Sequence, residues 1–162
     1  MTRDLDLLAE LARNDCAHVT ITITTLDAEL AGKLEPRAAR PEHRLRAIRL
    51  LTDAGGPVGV NIAPVMPGLT DHELAGILAA AAEAGATPAN YIVLRLPHSV
   101  KDVFLQWLNT HEPGKKERVL SRIRDLRGGK LYDATFGTRM RARAFSPNSS
   151  PRCFASPLAA PV

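Results

Sequence analysis

Polar side chains with hydrogen-bonding chemistry recur where the predicted strands of this 162-residue chain end. These candidate binding residues are Thr24, Thr25, Arg37, Arg44, Asn61 and Arg95. Hydroxyl and amide groups can hydrogen-bond a ribose, and an arginine can hold a carboxylate through two parallel hydrogen bonds. The set therefore suits an amino acid linked to a nucleoside. Considered on chemistry alone, Arg37 and Arg44 could equally be solvated helix charges.

Three segments predict the strands that would position these residues. Residues 18–25 (HVTITITT) alternate β-branched apolar residues with threonine, and residues 57–64 (PVGVNIAP) precede a turn rich in Pro and Gly. Residues 91–96 (YIVLRL) are almost continuously apolar, which is typical of a strand covered on both faces. The threonine face of the first strand could line a polar barrel interior or mark a half-exposed edge strand. Because ligands of parallel α/β proteins bind at the carboxyl ends of strands, we expect residues 61–70 to form part of the rim of any site.

Helical spacing separates these strands. It predicts helices over residues 4–14, 26–34, 41–54, 71–84, 99–108 and 115–127. Leu45, Ile48, Leu50 and Leu51 should form the inner side of the third helix, and Thr70 or Asp71 should cap the fourth. The order of elements predicts an α/β fold with about three parallel strands and right-handed crossovers. Since three strands leave two open edges, we expect a piece of a larger fold.

Composition and motifs exclude several kinds of protein. Apolar residues make up 45% and charged residues 23% of the chain, as in a globular domain. No apolar run is long enough for a membrane span and no signal segment is evident, so we expect a cytoplasmic protein without membrane association. The two cysteines, Cys16 and Cys153, form no CxxC or CxxxC motif, and no histidine pair has metal-ligand spacing, so no metal ligand is predicted. No P-loop or hydrolase motif is present, and the catalytic residues stay unknown.

Positive charge is concentrated near the end of the chain. Between Gly114 and Arg143 lie ten Lys or Arg residues and three acidic residues, a local charge of +7 within a chain of net charge +4. Such a segment could contact the phosphate backbone of a nucleic acid or could be a solvated basic helix. We expect a folded domain over residues 1–143 and a disordered tail over residues 144–162, which are rich in Ser, Pro and Ala.

Several stretches resemble one known family. The segments ITTLDAELAGKLEPRAARPEHRLRAIRLL, PVGVNIAPVMPGLTDHE, YIVLRLPHSVKDVFLQWL and RIRDLRGGKLYDATFGTRMR are similar to the later part of radical S-adenosylmethionine (SAM) proteins. The subgroup that they resemble is related to spore photoproduct lyase and is described as DNA-repair-photolyase-like. The likeness runs from about Thr2 to Arg141 and is most specific in EPRAA, APVMPGL and RGGKLYD taken together.

The resemblance implies a fold, a cofactor and a role for each candidate residue. The family fold is a partial (β/α)6 barrel, in which a CxxxCxxC loop holds a [4Fe-4S] cluster and reductive cleavage of SAM starts radical chemistry. By this resemblance Thr24 and Thr25 would lie near the ribose of SAM, and Arg44 or Arg37 near its methionine carboxylate. Asn61 and residues 64–68 would face the adenine or ribose, with Arg95 beneath the adenine.

The chain departs from the family in two places. The cluster loop and the first three strands have no counterpart, and residues after Arg143 leave the family pattern. We therefore expect the C-terminal half of a barrel, unable to perform radical chemistry alone and needing a missing N-terminal half on another chain. The alternatives are a basic nucleic-acid-binding module and a nonfunctional remnant.

Overall fold

Three parallel strands form one sheet in the computed structural model, which describes residues 2–132. They are β1 (Val19–Thr22), β2 (Val58–Val65) and β3 (Ala89–Val93), in the order β1-β2-β3. β1 pairs with β2 in parallel, with Thr22 opposite Asn61. The predicted α/β class with three parallel strands is confirmed and is consistent with part of a TIM-like barrel. The tail predicted to be disordered, residues 144–162, lies outside the described residues.

The strands form where β-branched residues alternate. Ile21 and Ile23 are buried on one side of the β1 segment, and Val58, Val60 and Ile62 are buried along β2. Partners in a parallel register point to the same side of a sheet, so Thr22 and Asn61 share the opposite face. We call the face that carries Thr20, Thr22 and Asn61 the polar face of the sheet. Thr20 is exposed and the other two are half-buried.

Six helices and three short 3₁₀ turns connect or flank these strands in the described residues. The helices are α1 (Leu5–Arg13), α2 (Ala28–Leu34), α3 (Pro41–Asp53), α4 (Leu74–Glu83), α5 (Val100–His111) and α6 (Lys116–Leu126). The start of α2 is fixed by Asp27, whose carboxylate accepts hydrogen bonds from the backbone N–H groups of Glu29 and Leu30. Pro41 occupies the first turn of α3, where its missing N–H costs nothing. All six predicted helices are present, with ends shifted by a few residues.

The described residues divide into two compact units. The first comprises the described residues up to Ala63 together with Glu73–Tyr91, and the second comprises Pro64–His72 and the described residues from Ile92 onward. In the first unit Ile48 and Leu51 of α3 are buried, but Leu50 is exposed, so the prediction of an inner Leu50 was wrong. Leu50 directly precedes Leu51, and successive helix residues point about 100° apart.

The third strand is less covered than its composition suggested. Tyr91 and Ile92 point to opposite faces of β3, because side chains alternate along a strand, and both are exposed within the described part of the chain. The prediction that this strand is covered on both faces was therefore wrong. An apolar run shows that burial is favourable, but it does not supply the elements that would cover the strand.

The second unit encloses the turn that follows β2. Residues 65–70 are all buried, and Gly68 has a left-handed backbone with φ of 79°. A Cβ atom at Gly68 would lie 3.4 Å from the Cα of Val119 in α6. Residues 65–70, the later part of the segment predicted to form the rim of a site, are therefore not accessible to a ligand in this unit. The buried stripe predicted for α6, formed by Val119, Ile123 and Leu126, is confirmed.

The predicted cap of the fourth helix was wrong. A 3₁₀ turn over Asp71–Glu73 precedes α4, and its N-cap position is Glu73. The Thr70 hydroxyl accepts a hydrogen bond from the backbone N–H of Met66 at 3.0 Å, within the preceding turn. The Asp71 carboxylate instead pairs with Arg122 at 2.7 Å. Thr70 is therefore used within the preceding turn and Asp71 in a tertiary ion pair, and neither side chain caps the helix.

Candidate functional site

A polar cluster forms in the first unit where β1 ends. Thr24 is only 3% exposed, and its hydroxyl lies 3.1 Å from the carbonyl oxygen of Ala63 and 3.4 Å from Oε2 of Glu35. A hydroxyl has one hydrogen to donate, so the shorter contact to Ala63 is the better hydrogen bond. Thr24 thereby ties the end of the β1 segment to β2 in addition to the ladder of the sheet.

The neighbouring threonine belongs to a second hydrogen-bonded group. Thr25 is 1% exposed and donates to Oε1 of Glu73 at 2.7 Å, while Oε2 of the same carboxylate accepts from the backbone N–H of Leu26 at 2.7 Å. The Thr25 hydroxyl also accepts from the backbone N–H of Asp27 at 3.1 Å. These short contacts fix the turn between β1 and α2. Glu73 is the anchor of that turn, a role that the sequence did not reveal.

Arg44 and Glu35 form an ion pair beside this turn. An Arg44 Nη atom lies 2.7 Å from Oε2 of Glu35, and the side chains are 14% and 35% exposed respectively. Arg44 also donates to the carbonyl oxygens of Thr22 at 2.8 Å and Ala39 at 2.8 Å. Thr22 is the last residue of β1, so the guanidinium lies at the carboxyl end of that strand. Three of the five N–H donors of Arg44 are thus directed at protein acceptors.

The other candidate residues differ in their exposure and in their hydrogen-bond partners. Arg37 is exposed, and no hydrogen bond or ion pair within the described part of the chain involves its side chain. Asn61 is half-buried on the polar face, and its backbone carbonyl oxygen accepts from the backbone N–H of Ile23 at 3.0 Å. Arg95 is half-buried and belongs to the second unit. The structure brings Thr24 and Arg44 together around Glu35. The binding roles of all six residues stay predictions.

No cluster of metal-binding side chains is present in residues 2–132. A search of the described residues finds no group of three or more His, Cys, Asp or Glu that could hold a metal ion. Cys16 is exposed, and Cys153 lies outside the described residues. The entire sequence contains two cysteines, one fewer than the three thiolates of a CxxxCxxC cluster site. The residues present therefore do not fit a [4Fe-4S] cluster held by this chain alone.

Similarity to known proteins covers much of the chain. Residues 1–81 match the Radical SAM superfamily. Uncharacterized proteins from Mycobacterium tuberculosis and Mycobacterium bovis are each 33% identical over 146 residues, which is 88% of this chain and 42% of theirs. An uncharacterized protein of Acidianus two-tailed virus is 40% identical over 67 residues, which is 41% of this chain and 22% of the viral protein. No solved structure matches the chain.

The chain belongs to the radical SAM superfamily, since the superfamily match covers half of its sequence. It spans about 42% of the length of the mycobacterial relatives. The match includes every residue of the polar cluster, from Thr24 to Glu73. Proteins of this superfamily typically use SAM together with a [4Fe-4S] cluster. The photolyase-like subgroup stays a prediction.

No helix among the described residues combines the length and apolar character that a membrane crossing needs. The cytoplasmic location stays a prediction, as does the division into a domain of residues 1–143 and a tail.

Proposed function

We propose that this chain is the SAM-binding part of a radical SAM protein of the photolyase-like subgroup. The observation that carries the proposal is the polar cluster around Glu35 and Arg44, which lies at the carboxyl end of β1 and within the superfamily match. Ligands of parallel α/β proteins bind at this end of the strands. Reductive cleavage of SAM is proposed for a complete protein, in which the cluster cysteines come from sequence outside this chain.

The contacts of the two arginines favour one of them as the carboxylate ligand. The charge of Arg44 is already balanced by Glu35, and three of its donors are occupied. Arg37 is exposed and has no partner among the described residues. Arg37 is thus better placed to form a new bidentate pair with the methionine carboxylate of SAM. Asn61, on the polar face of the sheet, could hydrogen-bond the adenine or the ribose.

Equilibrium dialysis of labelled SAM against the purified chain tests this proposal. We expect saturable binding that is about tenfold weaker in Arg37→Gln, because a charge-assisted hydrogen bond contributes roughly 1.5–3 kcal/mol. Arg40→Gln is the matched control, since Arg40 is also an exposed arginine in the same connection. Absence of saturable SAM binding by the wild-type chain would overturn the proposal and favour the nonfunctional remnant.

Reconstitution tests the proposed source of the cluster. The purified chain, incubated with iron and sulfide, should show no stoichiometric cluster absorbance, because it lacks a third cysteine. Adding a separately expressed segment that carries a CxxxCxxC motif should give a copurifying complex with that absorbance. A cluster formed by the chain alone would contradict this part of the proposal.

A second candidate function is nucleic-acid binding through α6. Arg118 and Arg124 are exposed on this helix, in the part of the basic segment that the structure describes. If both contact phosphates, the double variant Arg118→Gln/Arg124→Gln should lower the salt dependence of duplex DNA binding by about two units of log–log slope. Arg49→Gln, which changes an exposed arginine on α3, should leave it unchanged. No binding at low salt would exclude this function.

A further inference from the structure

We propose that the outer edge of β1 and the exposed leucines of α1 form a docking surface for a strand and helix of a partner polypeptide. The inference rests on the proposed function, in which the complete protein includes sequence outside this chain, and it names where that sequence binds. We call this surface the open side of the first unit. It consists of the backbone of Thr20 and Thr22 and the side chains of Leu7 and Leu11, all of which belong to that unit.

Within the described residues, β1 is paired with a neighbouring strand along one edge only. It is the first strand in the order β1-β2-β3, and the backbone N–H groups of Val19 and Ile23 donate to carbonyl oxygens on the β2 side. Because the backbone groups of successive residues point to opposite edges of a strand, those of Thr20 and Thr22 point away from β2. Neither of these two N–H groups has an acceptor in residues 2–132. The outer edge of β1 is therefore able to pair with a further strand.

Arg44 limits the length of the added ladder. Its guanidinium donates to the carbonyl oxygen of Thr22 at 2.8 Å, on this same outer edge. The guanidinium is also paired with Glu35, and the Arg44 side chain is only 14% exposed, so displacing it would break the ion pair. The backbone groups of β1 that remain open are the N–H and C=O of Thr20 and the N–H of Thr22. The added strand therefore forms three backbone hydrogen bonds and ends where the polar cluster begins.

These three open groups fit a parallel strand. In a parallel ladder, one residue of the added strand donates to the C=O of Thr20 and accepts from the N–H of Thr22, so both of its backbone groups are bonded. An antiparallel residue opposite Thr22 would form only one of its two bonds, because Arg44 already occupies the carbonyl oxygen. A second copy of this chain, related by a two-fold axis perpendicular to the sheet, would pair its β1 antiparallel. More than half of each mycobacterial relative lies outside the part that matches this chain, so a complete protein has sequence available for a parallel strand.

The helix α1 supplies the apolar part of the surface. Leu7 and Leu11 lie one turn apart on the same side of this helix and are 57% and 48% exposed. Although its apolar residues have helical spacing, none of the residues of α1 is buried. The helix leads into β1 and packs against α3, which contacts β1. Since a helix of an α/β fold buries its apolar stripe against a neighbouring element, the two leucines are placed to receive the helix that accompanies the added strand.

Titration of the full 162-residue chain against a defined polypeptide tests the proposal. The probe is the longer unmatched part of the Mycobacterium tuberculosis relative, expressed separately, and isothermal titration calorimetry should show saturable one-to-one binding. Thr20→Pro removes an N–H group that β1 does not use toward β2, so the variant should keep the circular dichroism spectrum of the wild type. It should nevertheless bind the probe at least 30-fold more weakly. Thr20→Val is the matched control, because it keeps the N–H group and should bind as the wild type does.

The leucines are tested in the same titration. The double variant Leu7→Ala/Leu11→Ala should bind about 30-fold more weakly, because each leucine loses about half of its apolar contact area with the probe. Leu50→Ala changes an exposed leucine on α3, away from the open side, and should leave the affinity unchanged. Amide hydrogen exchange, measured by NMR, gives a second readout that needs no variant. The amides of Thr20 and Thr22 should exchange about 100-fold more slowly in the complex than in the free chain.

Three results would overturn the docking surface. They are a wild-type chain that does not bind the probe, a complex in which the Thr20 and Thr22 amides exchange as fast as before, and equal binding by Thr20→Pro. A free chain that is a dimer by light scattering, and a monomer as Thr20→Pro, would show that a second copy occupies the edge and would also overturn the proposal. Dialysis of SAM is a separate readout. A complex that forms without SAM binding keeps the docking surface and removes the proposed function, whereas SAM binding without a complex does the reverse.

Discussion

Two strand ends of the same sheet are stabilised in different ways. After β1 the chain turns through a polar cluster, in which Thr24 donates to the carbonyl oxygen of Ala63 and Thr25 donates to the carboxylate of Glu73. After β2 the chain turns through a buried, mainly apolar segment that approaches α6 at Gly68. The first turn depends on directional bonds, and next to it Oε1 of Glu35 has no hydrogen-bond donor among the described residues. The second depends on close packing and leaves its residues inaccessible.

This difference suggests why only one of the two turns is a good candidate for binding. A ligand gains affinity from polar groups that are fixed in advance and still reachable. Glu35 satisfies both conditions, whereas the Thr70 hydroxyl is buried and bonded to Met66. Four measurements test this comparison of the two turns.

The largest effect is expected at Glu73. Glu73→Ala removes the acceptor of the Thr25 hydroxyl and of the Leu26 backbone N–H, and leaves these donors without a partner. We expect the free energy of unfolding to fall by about 2–4 kcal/mol, measured by urea denaturation followed by circular dichroism. Glu83→Ala changes an exposed acid at the end of α4 and should shift stability by less than about 0.5 kcal/mol. Equal stability of the two variants would show that the first turn does not depend on its carboxylate anchor.

A somewhat smaller loss is expected at Gly68. Alanine there must adopt a φ of 79° and place its Cβ 3.2 Å from the Arg122 side chain. The left-handed backbone and the crowding together should cost about 2 kcal/mol. Gly114→Ala is the matched control, because nothing lies within 4 Å of its added Cβ and its φ is not left-handed. If both glycine variants unfold at the same urea concentration, close packing does not define the second turn.

The two ion pairs allow a direct comparison of the regions. A double-mutant cycle with Glu35→Ala and Arg44→Ala should give a coupling of about 1–2 kcal/mol, because Arg44 is only 14% exposed. Partly buried pairs are weakly screened, so 1 M salt should preserve most of this coupling. A coupling near zero would mean that the pair does not stabilise the polar cluster.

The smallest effect is expected for the pair in the second unit. Asp71 and Arg122 lie 2.7 Å apart, but the arginine side chain is 46% exposed. We expect a coupling below about 1 kcal/mol that disappears in 1 M salt. The same double-mutant cycle, with Asp71→Ala and Arg122→Ala, measures it. A larger coupling here than between Glu35 and Arg44 would reverse the comparison.

Most of the fold was predictable from local patterns. The alternation in residues 18–25 and the apolar stripe of α6 gave elements of the correct type, because both patterns report which side of an element can be buried. Exposure of Leu50 and Tyr91 was not predictable, since an apolar residue does not specify whether another element will cover it. The cap of α4 was predicted wrongly because Thr70 bonds to Met66 within the preceding turn and Asp71 pairs with the distant Arg122.

The residue types of the candidate site were predictable, but the hydrogen bonds and ion pairs that those residues form were not. The superfamily resemblance, the βα order and the position of hydroxyl, amide and guanidinium groups after strands could all be predicted, because they depend on residue type and spacing. The folded structure was needed to show that Arg44 pairs with Glu35, that Thr24 and Thr25 donate to acceptors within the protein, and that Oε1 of Glu35 has no donor among the described residues. Those contacts join residues up to 48 positions apart, and no local pattern specifies which polar groups the fold brings together.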